Sequence, residues 1–379
     1  MVTKEWPPNI YGGAGVHVTN LVSALNNLPD LSTQVHCFGA ARSDAASYQL
    51  NSELEQVNPA IQALLIDSDI SANIADANVI HSHTWYANFA GYLAQKIYGI
   101  PHIATAHSLE PLRPWKAEQL GGGYQISSWV EKLAFENAAA VIAVSDGMRA
   151  DVLNSYKEID PQKVITIRNG IDTERFRPNQ DESVLTRFGI SSPYAIFVGR
   201  ITRQKGLAHL LRAWSLVDPA FTLVLAASSP DEPAIGREVE QLINQLSEVR
   251  GNIIWIKDML PHHELTALLT QATTFLCPSI YEPLGIVNLE AMACETAVVA
   301  SKVGGIPEVV VDNQTGRLVE FNNNPDEFEQ GLAAAINDVM SNTSLAATMG
   351  KAGRHRTIAE FGWDKVALQT ADLYRSVIK

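Results

Sequence analysis

Short runs of β-branched and apolar residues recur along the 379-residue chain, separated by stretches in which apolar positions return every three to four residues. The runs Ala77 to His81, Ile100 to Ala106 and Ala140 to Val144 read as strands, with helices between them. That alternation predicts a parallel, doubly wound sheet. It restarts at Tyr194 to Val198 and continues through Phe221 to Ala226, Ile253 to Ile256, Thr274 to Cys277 and Ala297 to Ala300. Between the halves, Arg168-Asn169-Gly170-Ile171-Asp172 and the polar stretch 177–182 carry turn chemistry and few apolar side chains. The pattern predicts an α/β protein with two Rossmann-like, doubly wound domains facing across a cleft. The first spans residues 1–178, the second 179–358, and a closing helix covers 359–379.

One place departs from this scheme. A Gly-rich loop should follow a full central strand, yet only Met1 to Lys4 precede Glu5. Either the strand is truncated or the start is assigned late; the second is preferred, because losing a central strand leaves its neighbours' backbone groups unpaired.

Composition narrows the function classes. With 41 acidic against 28 basic residues, the net charge of -13 repels a nucleic-acid backbone over most of the surface. A phosphate-bearing small substrate stays open, provided that Arg and Lys gather locally. Cys37, Cys277 and Cys294 have neither metal nor redox spacing, and their odd number fits a reducing cytoplasm. The stretch Met1 to Trp6 has no apolar signal core, and no run of about 18 apolar residues occurs, so neither export nor membrane spanning is expected.

Three loops carry candidate chemistry. Gly12-Gly13-Ala14-Gly15 precedes the amphipathic stretch Val16 to Leu28, so its N–H groups can face an anion at a helix start. A tight turn explains the same glycines equally well. In the second half, Val198-Gly199-Arg200 ends a strand, and Arg203, Lys205 and Gly206 follow before the helix Leu207 to Leu216. Cations at a helix N-terminus oppose the helix dipole at a cost of about 0.3–1 kcal/mol each, unless an anion joins them. Arg200 and Lys205 therefore suit a diphosphate leaving group at the carboxyl edge of a sheet. Third, Pro278 to Ala293 reads as loop then helix. The amides of Leu284, Gly285 and Ile286 form a second anion cradle, with Glu282 in the loop and Glu290 two turns into the helix, free for ribose hydroxyls.

The Gly-Gly loop, Gly199-Arg200 with Lys205, and Glu282 to Glu290 as E-x7-E resemble the signature set of retaining GT-B glycosyltransferases. Lys4-Glu5-Trp6-Pro7-Pro8, Tyr11-Gly12-Gly13-Ala14-Gly15-Val16-His17 and Ala106-His107-Ser108-Leu109-Glu110-Pro111-Leu112-Arg113-Pro114-Trp115-Lys116 are similar to actinobacterial-type glycogen synthases, also described as maltose-1-phosphate synthases. The resemblance covers nearly the whole chain. It implies a GT-B fold and retaining glucosyl transfer from ADP-glucose, with Arg200 and Lys205 on the departing diphosphate and Glu282 on the transferred glucose. Glu290 would hold the ribose, Gly12, Gly13 and Gly15 would sit beside the diphosphate, and His107 would line the glucose pocket. The chain end would cross back onto the first domain, and hinge closure around the donor is expected.

Other residues are weighed beside these. His83 and His81 end the strand before that of His107; His83 is a candidate for the acceptor side and His81 is read as structural. Glu110, Arg113, Trp115, Lys116 and Tyr124 mix cations with aromatics, as an acceptor site for a sugar or sugar phosphate requires, or else form an ordered surface loop. Asp67-Ser68-Asp69 matches D-x-D after the strand-like Leu64-Leu65-Ile66, and is read as a helix cap; no metal or other cofactor is expected. A glycosidase pair does not account for the Arg and Lys cluster. Base contacts are expected around Lys257 to Leu260. Still open are an α-1,4-glucan or glucose-1-phosphate as acceptor, another donor such as UDP-glucose or GDP-mannose, a lipid or disaccharide acceptor, a homodimer, and, outside this class, an epimerase or a non-catalytic nucleotide-sugar sensor.

Overall fold

Two parallel sheets organise the chain. The computed structural model describes residues 1–379 except 11, 55, 117–120, 192, 323 and 379, so Tyr11 of the first Gly-rich motif lies outside the described residues. One compact unit comprises Met1–Gly170 and Trp363–Lys379, the other Ile171–Gly362.

The first unit holds β1 (Val2–Thr3), β2 (His36–Phe38), β3 (Ala46–Tyr48), β4 (Ile80–His83), β5 (His102–Ala106), β6 (Ala140–Ala143) and β7 (Val164–Thr166). Their order is β3-β2-β1-β4-β5-β6-β7, every neighbour parallel. Its helices are α1 (Gly13–Leu25), α2 (Pro59–Ala72), α3 (Trp85–Tyr98), α4 (Gly123–Asn137) and α5 (Asp146–Ser155). Although β1 has two residues, it pairs on both sides: Thr3 lies opposite Cys37 of β2 and His83 of β4.

The second unit holds β8 (Tyr194–Ile201), β9 (Thr222–Pro230), β10 (Ile253–Ile256), β11 (Thr274–Cys277), β12 (Ala297–Ser301) and β13 (Gly316–Val319), ordered β10-β9-β8-β11-β12-β13 and again parallel. Around it lie α6 (Ser183–Phe188), α7 (Leu207–Trp214), α8 (Pro233–Val249), α9 (His262–Gln271), α10 (Ile286–Ala293), α11 (Ile306–Val309), α12 (Pro325–Ser341) and α13 (Thr343–Glu360). The last helix, α14 (Trp363–Val377), belongs to the first unit.

Each sheet reverses its winding direction once, between β1 and β4 and between β8 and β11. At such a switch point the two flanking loops diverge and leave a crevice at the carboxyl edge, the usual ligand position in open α/β sheets. The three Gly-rich or cation-bearing loops singled out from the sequence follow β1, β8 and β11.

Burial accounts for the elements. Strands β4, β5, β6, β11 and β12 are buried at every position, as strands covered on both faces must be. In the second unit Phe197, Leu225, Leu276 and Val299 of the sheet meet Leu211, Trp214, Leu332 and Ile336 of the helices. In the first, α14 lays Val366, Ala367, Ala371 and Tyr374 against Leu21, Leu25, Ile103 and Ile142. A separate cluster joins Val2 and Ile80 to Ala87, Ala90 and Ala94 of α3.

Three expectations are corrected. The division falls at 170/171 rather than 178/179, because residues 171–178 bond within the second unit: Ile171 donates its N–H to Phe361 O at 2.8 Å, and Phe176 packs edge-on against His262. The closing segment likewise begins at Trp363 rather than 359, since α13 runs on to Glu360. Leu64-Leu65-Ile66 is not a strand but the middle of α2, capped by Asn58, so Asp67 caps nothing. Fully buried, Asp67 instead accepts the Phe89 N–H of α3 at 3.1 Å, and burial pushes its carboxyl pKa well up.

Candidate active site

In the second unit the cations gather where β8 ends. Thr202 caps the 3-10 turn Arg203–Lys205, its hydroxyl accepting the Lys205 N–H at 3.3 Å. Gly206 then turns the chain into α7 at φ +65; a Cβ there would lie 1.9 Å from Pro278 O, so the β8 loop presses directly on the β11 loop. That approach sets Lys205 Nζ 2.7 Å from Glu282 Oε2. Burial alone would lower the Lys205 pKa, but the Glu282 carboxylate reverses this and leaves it raised, so the ammonium stays charged. Ser279 donates to the same carboxylate oxygen at 3.3 Å, and Gly305 N–H holds Glu282 O at 3.0 Å. Arg200, whose like charge opposes that of Lys205, is held by Asp231 at 2.7 Å, and Arg203 reaches Glu232 at 3.3 Å.

Helix α10 begins at Ile286, two residues later than Leu284, with Gly285 at φ +97 as its N-cap and no side-chain cap. First-turn N–H groups without a capping side chain are donors for an anion. A Cβ on Gly285 would meet Asn288 Nδ2 at 2.6 Å, which explains the glycine. Leu284 is buried, so it contributes backbone only. Glu290 sits one turn further on; burial pushes its carboxyl up to about 7, against the pull of Lys205 and Arg175. Lys257, in the expected base-binding stretch, lies over the Trp255 ring at 4.1 Å.

In the first unit α1 starts at Gly13 with Gly12 as its N-cap, again without a side-chain cap. The anion there is internal: Glu5 Oε2 accepts the Gly12 N–H at 2.8 Å, and a Cβ on Gly15 would collide with that carboxylate at 2.6 Å. Behind this turn lies a group of imidazoles. His83, at the end of β4, and His107, just after β5, share a 2.9 Å contact between Nδ1 and Nε2. His17 of α1 stands edge-on to His107, their ring centres 4.8 Å apart. Burial lowers the pKa of all three, His17 to about 4, so they are neutral near pH 7. Their nitrogens lie within 4.8 Å of one another, close enough to share one transition-metal ion after small ring movements. His81 faces α14 instead, bonded to Tyr374 Oη at 2.7 Å and Thr105 Oγ1 at 2.6 Å. Beside these rings Thr84 holds φ +66, a strained value for a β-branched residue.

The 110–116 segment follows His107. Glu110 is fully buried and turned inward: its carboxylate takes the Arg113 guanidinium and the Ser127 hydroxyl, the latter at 2.8 Å. Tyr124 Oη donates to Glu110 O at 2.7 Å. The Glu110 carboxylate is thus engaged within the loop, while Tyr124 braces the loop and stays half-buried beside it. Arg113, Trp115 and Lys116 remain half-buried. Burial first, then the nearby Arg113 and Lys4 charges, lower the Lys116 pKa to about 8 against the opposite pull of Glu110 and Glu131. Among the described residues Lys116 has no ion-pair partner.

Sequence reading missed Glu5, His17, Glu131 and Asn288. The Asn288 amide is fully buried at the start of α10, with no hydrogen-bond partner for either atom among the described residues. Glu5, His17 and Asn288 lie inside the sequence motifs without a role read for them, whereas Glu131 lies in no motif, because its partners Glu110 and Tyr156 are 21 and 25 residues away. Only for His17 was there a hint, one helical turn beyond the glycines.

Comparison with known proteins gives the family. The family described as Glycosyltransferase Family 4 matches residues 11–175, and Glycosyl transferases group 1 matches 187–356. An alpha-maltose-1-phosphate synthase of Mycolicibacterium smegmatis is 53% identical, covering 100% of this chain and 98% of that protein. One of Mycobacterium tuberculosis is 50% identical with the same coverage. Among solved structures, a sucrose-phosphate synthase from Thermosynechococcus elongatus superposes with a TM-score of 0.78 at 24% identity, covering 100% of this chain and 99% of that one. Anabaena HepE in complex with UDP and glucose reaches 0.78 at 18%, covering 99% and 98%. Those two show the GT-B fold. No helix of the described residues is long and apolar enough to cross a membrane. Full-length identity of 50–53% to two synthases, together with a glycosyltransferase match in each half, places the chain in the GT-B glycosyltransferase family of the alpha-maltose-1-phosphate synthases, as a hexosyltransferase.

Proposed function

We propose that the protein transfers glucose from ADP-glucose, with retention, to glucose-1-phosphate, forming maltose-1-phosphate and ADP. The observation that carries the acceptor half is the cationic pairing of Arg113 and Lys116 after His107. A neutral glucan gives no reason to hold Lys116 beside Arg113 and Lys4, without an ion pair among the described residues and at a cost that lowers its pKa. A sugar phosphate supplies the missing charge. The naming of the relatives at 50–53% identity supports the same acceptor.

On the donor side, Lys205 and Arg200 neutralise the diphosphate as the bond from glucose C1 to the phosphate oxygen breaks. The open amides at the start of α10 take its remaining charge, and Glu290 accepts the ribose hydroxyls. Glu282, held by Lys205 and Ser279, is oriented toward the glucose hydroxyls. Neutral His107 can donate or accept at the sugar without adding charge. The acceptor hydroxyl attacks from the face that the phosphate leaves, and its proton passes to the departing phosphate oxygen. No metal enters this scheme, because the chain's own cations meet the diphosphate.

The test is ADP release from ADP-glucose with glucose-1-phosphate, glycogen or no acceptor, beside UDP-glucose and GDP-mannose. Maltose-1-phosphate formed with ADP-glucose supports the reading. Chain extension of glycogen alone, faster turnover with another donor, or donor isomerisation without acceptor would each replace it.

A further inference from the structure

Glu131 is a buried carboxyl that no step above uses, and it lies under the segment that carries Arg113 and Lys116. It belongs to α4 and is 2% exposed. Its Oε1 accepts the Glu110 N–H at 2.8 Å and also the Tyr156 hydroxyl. Glu110 is therefore held by its amide to Glu131, by its carbonyl to Tyr124, and by its carboxylate to Ser127 and Arg113. Glu131 and Arg113 also line a cavity of about 10 Å³, room for a single water, together with Thr105, His107 and Ser108. We infer that Glu131 is a positioning residue for sugar-phosphate binding, which fixes Arg113 and Lys116 relative to His107 by gripping the Glu110 amide. The inference rests on the acceptor reading above.

The charge balance explains why this anchor is a carboxyl. The groups around it are Glu110 and Arg113 on the loop, Lys116 beyond them, Tyr124 at the head of its own helix, Tyr156 after α5, and neutral His107 across the cavity. One guanidinium compensates one buried carboxylate, and Glu110 already has it. Burial first and the Glu110 charge second push Glu131 up to about 8, so it is mostly neutral at pH 7 while still accepting two hydrogen bonds. Above pH 8 its ionisation sets a second negative charge beneath an anion-binding loop. Acceptor affinity should then fall while the donor side is untouched.

The experiment measures acceptor and donor KM and kcat from pH 6.5 to 9 for the full chain, Glu131→Gln and Glu131→Ala, with amide exchange of residues 109–116 followed in each. Glu131→Gln keeps one oxygen able to accept both hydrogen bonds but cannot ionise. It should match the wild-type glucose-1-phosphate KM at pH 7 and show a rise toward pH 9 at least threefold smaller, the remainder coming from Lys116. Glu131→Ala should raise that KM about tenfold at pH 7, leave the ADP-glucose KM alone, and speed exchange at 109–116. Equal shifts of both KM values, unchanged loop exchange in Glu131→Ala, or a full wild-type pH profile in Glu131→Gln would each overturn the inference. Should Glu131→Ala not fold, the Glu131→Gln profile decides. Should the wild type not use glucose-1-phosphate at all, the function reading fails, while the exchange data still decide whether Glu131 anchors the loop.

Discussion

Arg200 and Lys205 lie on one turn but are held differently, and this predicts different behaviour on substitution. The Arg200–Asp231 pair is 41% exposed on the Arg side, and ion pairs that exposed contribute about 0–1 kcal/mol. Arg200→Ala should hence leave thermal stability nearly unchanged while lowering kcat on the order of 100- to 1000-fold, the usual loss when one preorganised charge-stabilising donor is removed. Calorimetry beside a glucosyl-transfer assay separates the two effects; a large stability loss would move Arg200 out of the chemistry. The role proposed for these cations at the diphosphate predicts that turnover survives excess EDTA, and loss of rate with recovery on adding a divalent ion would contradict that role. For Glu290, with its carboxyl pushed up to about 7 by burial, the sign runs one way. In the proposed role ribose hydroxyls donate to the carboxylate, so the ionised form binds, and the ADP-glucose KM should climb as pH falls below about 7, approaching tenfold per unit. Glu290→Gln should have a higher KM and lose that slope; a retained slope would point to another group.

At the scale of elements, strands with uniform burial were the legible ones. Thr274–Cys277 coincides with its apolar run, because a strand covered on both faces has no polar position to obscure its ends; Ile253–Ile256, half-buried over its first three residues, coincides through its unbroken apolar and aromatic run alone. His36–Phe38 and Ala46–Tyr48 were not read as strands: three residues including His36 or Ser47 give no period to detect. Leu64-Leu65-Ile66 misled for the opposite reason, being an apolar run within a helix whose Leu65 is 39% exposed. The site follows the same division. Loops built on glycine and cations announce themselves locally, so the β8 and β11 loops were found; Glu131, whose role depends on a partner 21 residues away, was not. The junction of those two loops also predicts a stability effect. Gly206 combines φ +65 with a backbone oxygen 1.9 Å from any added Cβ, so Gly206→Ala must both strain its turn and push the loops apart. A cost of about 1–3 kcal/mol, a Tm fall of several degrees for a unit this size, is expected by calorimetry, with Lys205 drawn off Glu282 and activity lowered beyond what unfolding explains. An unchanged Tm would mean that the loops have slack.

For the whole molecule, the division into units does not follow the order of the chain. The last helix, α14, completes the first unit: Val366, Ala367, Ala371 and Tyr374 fill the core made by Leu21, Leu25, Ile103 and Ile142, and Tyr374 bonds to His81 one residue-pair from His83. The core of the second unit draws on none of these residues. Two cores without shared side chains should melt as two transitions, since cooperativity within a domain comes from packing that its members share. Ala371 is fully buried in the first core, so Ala371→Asp places a carboxylate among the apolar side chains of that cluster, a change that costs on the order of several kcal/mol. One calorimetric transition should drop by roughly 10 °C or more at constant pH while the other holds its Tm. Nucleotide protection should track the unchanged transition, because Arg200, Lys205, Glu282 and Glu290 all lie within Ile171–Gly362. If both transitions fall together, the two cores are energetically coupled. The histidine and acceptor groups of one unit and the donor groups of the other would then share a single stability, and substitutions in α14 would weaken donor binding as much as acceptor binding.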